Sequence, residues 1–269
     1  MNNMSLSYSI DVIFFVLGAI VGSFLNVCLH RMPRGGSVVR PGSRCPACAA
    51  PIAFYDNIPL LSYLALRGRC RKCGRRISAR YPLVELLTAV LFVVLYHAIG
   101  LSLDLAAMLL FSCLLVVISF IDLDFGIIPY RLSLGGIVLG VVLSFIRPSF
   151  GLFDALLGAL AGCAVIYVIK KCYELLRKEE GMGGGDIWLL GMIGAFCGIK
   201  GVVFSLVAGS FAGCAVGIPL TLVKGGGMKY ALPFGPFLSI GGLLYAIAGN
   251  GLIRLFYGLI DLLSGLTVR

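Results

Sequence analysis

The chain has 269 residues, 59% of them hydrophobic and only 13% charged, with a mean hydropathy of +1.03. A soluble domain of this length carries about twice that charged fraction, so composition excludes an ordinary water-soluble globule and points to a polytopic membrane protein. The net charge of +10 is concentrated between Arg31 and Arg80, where eleven Lys or Arg residues accompany one acid, Asp56. In a membrane protein that asymmetry orients the chain, because loops rich in Lys and Arg stay in the cytoplasm. No aromatic-basic recognition module accompanies the charge, so nucleic acid is not an expected partner.

In chain order, residues 10–29 form the first apolar run, about as long as a spanning helix needs to be. Nothing basic precedes it, so no cleavable signal peptide is expected. Asp11 sits at its outer end, and Gly18, Gly22 and Ser23 make a small-residue face suited to close helix packing. Arg31 and Arg34 follow it and place the next loop inside. Residues 30–81 read as a water-soluble module of short turns and ribbons. Further apolar segments are expected at 83–99, 105–121, 132–146, 152–169, 187–199, 202–223 and 234–247. The fold class is therefore an all-α polytopic membrane protein of about eight transmembrane helices in a lipid bilayer, with a small cytoplasmic zinc-ribbon-like module. Basic loops are expected at Lys170, Lys171, Arg177 and Lys178, and at 224–229. The tail at 252–263 reads either as an interfacial helix or as an extension of the last span, and no internal repeat is expected.

Two acids stand at the ends of apolar segments. Asp186 follows Gly183-Gly184-Gly185, and Asp122 lies in Phe120-Ile-Asp-Leu-Asp-Phe-Gly-Ile-Ile-Pro129. A carboxylate entering the bilayer is costly and marks a functional site by default. By alternation of spans, Asp122 ends an inward-running segment and Asp186 begins an outward-running one, so both reach the cytoplasmic face. Two carboxyl groups sharing a site hold one proton between them and can act as general base and acid in peptide hydrolysis. Glycines such as Gly183 and Gly185 let an extended substrate approach the backbone. The plainer reading is that Asp186 caps its helix and Asp122 is a solvated boundary residue. Asp124 rivals Asp122, and spacing alone does not separate them.

Cys45, Cys48, Cys70 and Cys73 form two C-x2-C pairs separated by 21 residues. That is a four-thiolate zinc pattern, structural because sulfur fills every ligand position; the competing reading is disulfides, which a cytoplasmic location disfavours. Chelation is expected to unfold the module. The other six cysteines lie singly in or beside apolar segments and read as small hydrophobes. Asp56, in Asp56-Asn57-Ile-Pro59, is either turn chemistry or a seat for a cationic ligand. Glu85 is either a helix-dipole charge or a site acid. His30 and His97 read as structural.

Taken together, Gly22-Ser-Phe-Leu-Asn-Val-Cys-Leu-His-Arg31, the C-x2-C pairs around Asp56-Asn-Ile-Pro59, Arg80-Tyr-Pro-Leu-Val-Glu85, Ile121-Asp-Leu-Asp with Pro129, Gly183-Gly-Gly-Asp186 and Pro233-Phe-Gly-Pro236 resemble the bacterial type 4 prepilin peptidases over nearly the whole chain. The resemblance implies a bacterial inner-membrane, multi-pass enzyme of the GxGD intramembrane aspartic protease class, its active site facing the cytoplasm. It implies removal of the basic leader from type IV prepilins or type II pseudopilins, and N-methylation of the new terminus with S-adenosylmethionine. In the family the first catalytic Asp lies seven residues before the Pro, which selects Asp122 over Asp124, with Asp186 as the second. Tyr130 stands where the family often has an acid. The zinc ligands carry over to Cys45, Cys48, Cys70 and Cys73. For methyl transfer the resemblance gives residues 22–85, with Asn26, Arg31, Asp56, Asn57 and Glu85 as candidates. The implied division is residues 1–29 as first helix, 30–81 as the zinc module within the methyltransferase region, and 82–269 as the peptidase domain. The competing function is a transporter or channel with intramembrane acids and a zinc docking module. A peptidase without methyl transfer is the third reading, distinguished by the missing methyl mass.

Overall fold

Residues 2–40, 42–177, 183–224 and 233–266 are described by a computed structural model. Their regular elements are helices: α1 (Asn2–Arg31), α2 (Leu61–Ala65), α3 (Arg80–Ile99), α4 (Leu103–Phe125), α5 (Tyr130–Ser144), α6 (Leu152–Arg177), α7 (Gly185–Lys224) and α8 (Gly235–Leu266). Five of them, α1, α3, α4, α6 and α7, are long and apolar enough to cross a membrane; α5 and the first part of α8 are shorter apolar helices. Between 22% and 56% of each candidate span is buried. The outward-facing side chains are large and apolar, among them Val12, Ile13, Phe153, Leu160 and Phe211. Such surfaces suit lipid rather than water. The chain is a multi-pass helical membrane protein.

The chain divides into two compact units, Met1–Leu132 and Ser133–Arg269. In the first, α1 packs on α3 through its glycines. A Cβ at Gly18 would lie 2.7 Å from the Ala89 Cα, and one at Gly22 only 2.8 Å from the Glu85 Cα. This is the close approach expected of a small-residue face. Toward the far end of the pair, Asp11 Oδ1 meets His97 Nε2 at 2.9 Å, and Phe14 stacks on Tyr96 with ring centroids 4.8 Å apart. The boundary acid and the structural histidine are thus each other's partner. Helix α4 is capped at its start by Ser102, whose hydroxyl accepts from the Leu105 N–H. It ends at Gly126, in the left-handed region at φ 64°, whose N–H returns to the Asp122 carbonyl.

In the second unit, glycines again set the helix spacing. A Cβ at Gly194 on α7 would lie 2.0 Å from the Gly158 carbonyl oxygen on α6, and one at Gly162 would lie 2.3 Å from that of Leu190. Within α7 the backbone leaves helical geometry at Gly198 (φ 70°, ψ −174°). There the chain doubles back: a Cβ at Gly194 would meet Val202 Cγ2 at 2.9 Å, whereas a straight helix separates residues eight apart by about 12 Å. The reversal frees carbonyls from the helix ladder, and Arg147 Nη1 donates to that of Phe196 at 2.8 Å while its guanidinium sits over the Phe150 ring. The second arm of α7 packs on α8, where a Cβ at Gly241 would lie 2.7 Å from the Ser205 Cα.

Some expectations shift. The segments at 187–199 and 202–223 are the two arms of α7. Lys170, Lys171 and Arg177 lie on the last turns of α6, not in a loop, and the first two pair with Glu174. The tail at 252–263 continues α8. Lys178, residues 225–229 and residues 179–182 before the glycine run lie outside the described residues.

Candidate functional sites

The four-cysteine module repeats itself. Arg44-Cys-Pro-Ala-Cys-Ala-Ala-Pro-Ile52 and Arg69-Cys-Arg-Lys-Cys-Gly-Arg-Arg-Ile77 share the pattern R-C-x2-C-x3-I, an internal repeat that the expectation of none missed. The repeat is also one of hydrogen bonds. The Cys45 N–H donates to the Ala50 carbonyl and the Cys70 N–H to that of Arg75, each at 2.9 Å. Ala49 and Gly74 donate back to the carbonyls of Cys45 and Cys70, each at 2.9 Å. Both returning residues lie at positive φ, 55° and 68°. Each knuckle is closed by a single antiparallel bridge, Arg44 with Pro51 and Arg69 with Arg76.

The knuckles bring all four sulfurs within 4.8 Å of one another, with Cys45 and Cys73 at 3.9 Å. Thiolates about 2.3 Å from a tetrahedral zinc are about 3.8 Å apart, so the cluster has the size and donor set of such a centre. Backbone N–H groups of Cys48 and Ala47 bring the Cys45 thiol down to about 6. A backbone hydrogen bond from Arg75 lowers Cys73, yet desolvation and hydrogen bonds with the other thiols push it up to about 11.

Beside the module, and within the same unit, is a cavity of about 750 Å³. Asn26, Arg31, Asp56, Asn57 and Glu85 all line it. Its volume falls in the range of about 300–1,000 Å³ usual for small-molecule and cofactor sites. Asn26 Nδ2 donates to the Tyr81 carbonyl at 3.0 Å, tying α1 to the start of α3. Arg31 Nη1 and Nη2 donate to the carbonyls of Ser37 and Gly42 and hold the module's first loop. Asp56 is not open to a cationic ligand in this structure. Arg71 grips it through Nε and Nη2, at 2.9 and 2.7 Å for the shortest contacts, and lies over the Tyr55 ring. This guanidinium holds the Asp56 carboxyl below its usual range. Glu85 lies beyond the first turn of α3, where the helix dipole has fallen off, and is 8% exposed. Its Oε2 accepts from the Leu60 N–H at 2.8 Å.

Three carboxylates are buried among the described residues: Glu85, Asp122 and Asp186. Asp122 is 4% exposed near the end of α4, and Asp186 is 7% exposed in the first turn of α7, just after Gly185. A boundary carboxylate left to solvent would be neither. Asp124 differs: Arg80 pairs with it, and both side chains are about one-third exposed. Beside Asp186 the chain leaves room, since a Cβ at Gly184 would meet nothing within 4 Å and one at Gly183 only Asp186 Oδ2 at 3.8 Å. Tyr130 is exposed at the start of α5. The cavity's three tyrosines, Tyr55, Tyr63 and Tyr81, were missed in the sequence; the pattern gives no sign that they converge.

Fold and sites together define a membrane-embedded helical protein with buried carboxylates at helix ends and a four-thiol module beside a ligand-sized cavity. The chain matches the Bacterial Peptidase A24 N-terminal domain over residues 16–99 and the Type IV leader peptidase family over residues 109–218. It is similar to proteins named prepilin leader peptidase/N-methyltransferase. That of Aeromonas hydrophila is 37% identical over 264 residues, 89% of this chain and 91% of the relative. That of Neisseria gonorrhoeae is 35% identical over 263 residues, again 89% and 91%. That of Myxococcus xanthus is 44% identical over 214 residues, 80% of this chain and 64% of that longer protein. No solved structure matches. The chain belongs to the type IV leader peptidase family and is an enzyme of that peptidase class.

Proposed function

We propose that the protein removes the basic leader from type IV prepilins or type II pseudopilins at the cytoplasmic face of the bacterial inner membrane, and N-methylates the new terminus with S-adenosylmethionine. The observation that carries the peptidase half is the burial of Asp122 and Asp186, each at the end of an apolar helix, in a chain of this family. In this reading eight helical passages cross the bilayer: α1, α3, α4, α5, α6, the two arms of α7, and α8. With α5 and α6 each crossing once, the end of α4 and the start of α7 share a side, so the two aspartates can act as a dyad. The pair holds one proton. The ionised carboxyl takes a proton from water as its oxygen attacks the scissile carbonyl carbon, while the protonated one donates to the carbonyl oxygen. Collapse of the tetrahedral species breaks the C–N bond, and the proton taken from water passes to the leaving amine. Gly183 and Gly185 keep the approach to Asp186 clear for an extended substrate.

The methyl-transfer residues are assigned to 22–85, with 30–81 as the zinc module, and the peptidase domain to 82–269. Cys45, Cys48, Cys70 and Cys73 would hold a structural zinc ion that fixes the two knuckles, both of which contribute to the cavity wall. Asn26, Arg31, Asn57 and Glu85 would hold S-adenosylmethionine and the acceptor terminus, with Asp56 contributing through its Arg71 pair; the cofactor would supply an electrophilic methyl group. An ion-transport reading has less support, because Asp122 and Asp186 stand at helix ends rather than midway along a span.

The test is mass spectrometry of a prepilin given to the purified protein, expected to read loss of the leader and gain of one methyl. Asp122→Asn and Asp186→Asn should each lower cleavage by at least about a hundredfold, the scale of lost acid–base catalysis, while Asp124→Asn should leave it near wild type. Undiminished cleavage by both of the first two variants would sink the dyad.

A further inference from the structure

Two carboxylates line the cavity beside the zinc module, Asp56 and Glu85, and their surroundings are opposite. Asp56 already has a full cationic partner in Arg71, gripped through two nitrogens. Glu85 is buried, only 8% exposed, yet its partners are neutral: the Leu60 N–H at 2.8 Å and the Ser23 hydroxyl. No cationic side chain among the described residues forms an ion pair with it. A buried carboxylate accepts up to about four hydrogen bonds and is strongly disfavoured without a compensating charge.

The surrounding backbone is built to hold this group in place. Leu60, which supplies the N–H, sits at φ 60° and ψ −50°, a conformation that a branched side chain avoids and that clusters at functional sites. On the other side the Gly22 backbone of α1 lies so close to the Glu85 Cα that a Cβ at position 22 would come within 2.8 Å. Strain on one side and a close helix crossing on the other fix an acid that faces a ligand-sized space. Tyr55, Tyr63 and Tyr81 also line that space.

We infer that Glu85 is the anionic seat for the reacting cation of methyl transfer, an inference that rests on the methyltransferase reading above. The ligand chemistry is a positive charge on a small organic group. Two sources supply it, the primary ammonium of the acceptor terminus and the sulfonium of the methyl donor. For the ammonium, the carboxylate takes the N–H proton and becomes a carboxylic acid. The freed nitrogen pair then forms a bond to the methyl carbon as the C–S bond breaks, leaving its electron pair on sulfur. The positive charge passes from sulfur to the new secondary ammonium, so atoms and charge balance with no further reactant. For the sulfonium, the carboxylate contributes affinity by charge pairing.

The experiment measures binding, not turnover, on the full-length zinc-loaded protein in detergent. Calorimetry compares S-adenosylmethionine with S-adenosylhomocysteine, which lacks the positive sulfur. It likewise compares a mature pilin N-terminal peptide with its N-acetylated form. Wild type should prefer the charged member of at least one pair, and Glu85→Gln should reduce that preference by at least about tenfold while the neutral member binds as before. Glu85→Asp should keep part of it. Which pair responds identifies the cation. Unchanged zinc content and melting temperature establish that each variant is folded. If wild type shows a preference and Glu85→Gln keeps it, the assignment of Glu85 is overturned while the methyltransferase reading stands. If wild type prefers neither charged ligand and leaves cleaved pilin unmethylated, that reading fails and takes this inference with it.

Discussion

Cys45 and Cys73 lie 3.9 Å apart, yet one thiol is brought down to about 6 and the other pushed up to about 11. The cause is local: backbone N–H groups of the first knuckle point at Cys45, and the remaining protons are shared toward Cys73. Zinc binds thiolates and displaces their protons. Loading the metal-free protein at pH 7.5 should therefore release protons, but fewer than four fully protonated thiols would give. The four thiols titrate as one cluster, so the number of protons released on loading should rise as the starting pH is lowered toward about 6, as read with a pH indicator. The sign for acid is that of proton competition: apparent zinc affinity should fall as pH drops below about 11 and more steeply below about 6, where the Cys45 thiolate also takes a proton. The residue scale also explains what the sequence could and could not say. The four cysteines are a local pattern and were legible. The Arg71 grip on Asp56 spans fifteen positions and depends on the second knuckle folding back, so the sequence left Asp56 between turn chemistry and a ligand seat. Burial separates Asp122 from Asp124, and alternation of side chains along a helix end does not reveal it; only the spacing to Pro129 in the family pattern did.

Among the elements, α6 and α7 are joined by glycines rather than by large side chains. At Gly194 any side chain would strike the backbone oxygen of Gly158 at 2.0 Å, and backbone cannot move aside as a flexible side chain can. Gly194→Ala should therefore destabilise the protein by roughly 1–3 kcal/mol or more, the range for overpacking a close interface. Gly135→Ala on α5 is the matched control, because nothing lies within 4 Å of that position. There the loss of glycine's conformational freedom should be neutral or stabilising by up to about 1 kcal/mol. Thermal unfolding in detergent compares the two, and equal melting temperatures would remove the glycine seam as the determinant of this packing. Apolar runs and their small-residue faces made these helices legible, since lipid leaves the backbone few alternatives to a helix. What the sequence hid is the relation of 187–199 to 202–223. Each run reads as a helix, but only the positive φ at Gly198 and the Arg147 contact to the Phe196 carbonyl describe how the chain gets from one to the other.

That reversal governs the whole molecule. If the two arms of α7 are separate passages, the chain crosses the bilayer eight times and Lys200, exposed just after the turn, faces the side opposite to the start of α7. If α7 crossed only once, α8 would begin on the other side and the end of the chain would be inverted. The proposal that Asp122 and Asp186 share a side depends instead on α5 and α6 each crossing once, where short α5 (Tyr130–Ser144) is the weakest link. A topology experiment reads both at once. A reporter that is active only in the cytoplasm, inserted after Gly126 or Gly184, should be active. The same reporter after Leu101, Ser149 or Lys200 should be silent, and a reporter active only outside should give the complementary pattern. The basic module between α1 and α3 supplies the reference, since its nine Lys or Arg residues against one acid are expected to hold it inside. Activity after Gly126 with silence after Gly184 would put the two aspartates on opposite faces. No dyad could then form, however well each carboxylate is buried in its own unit.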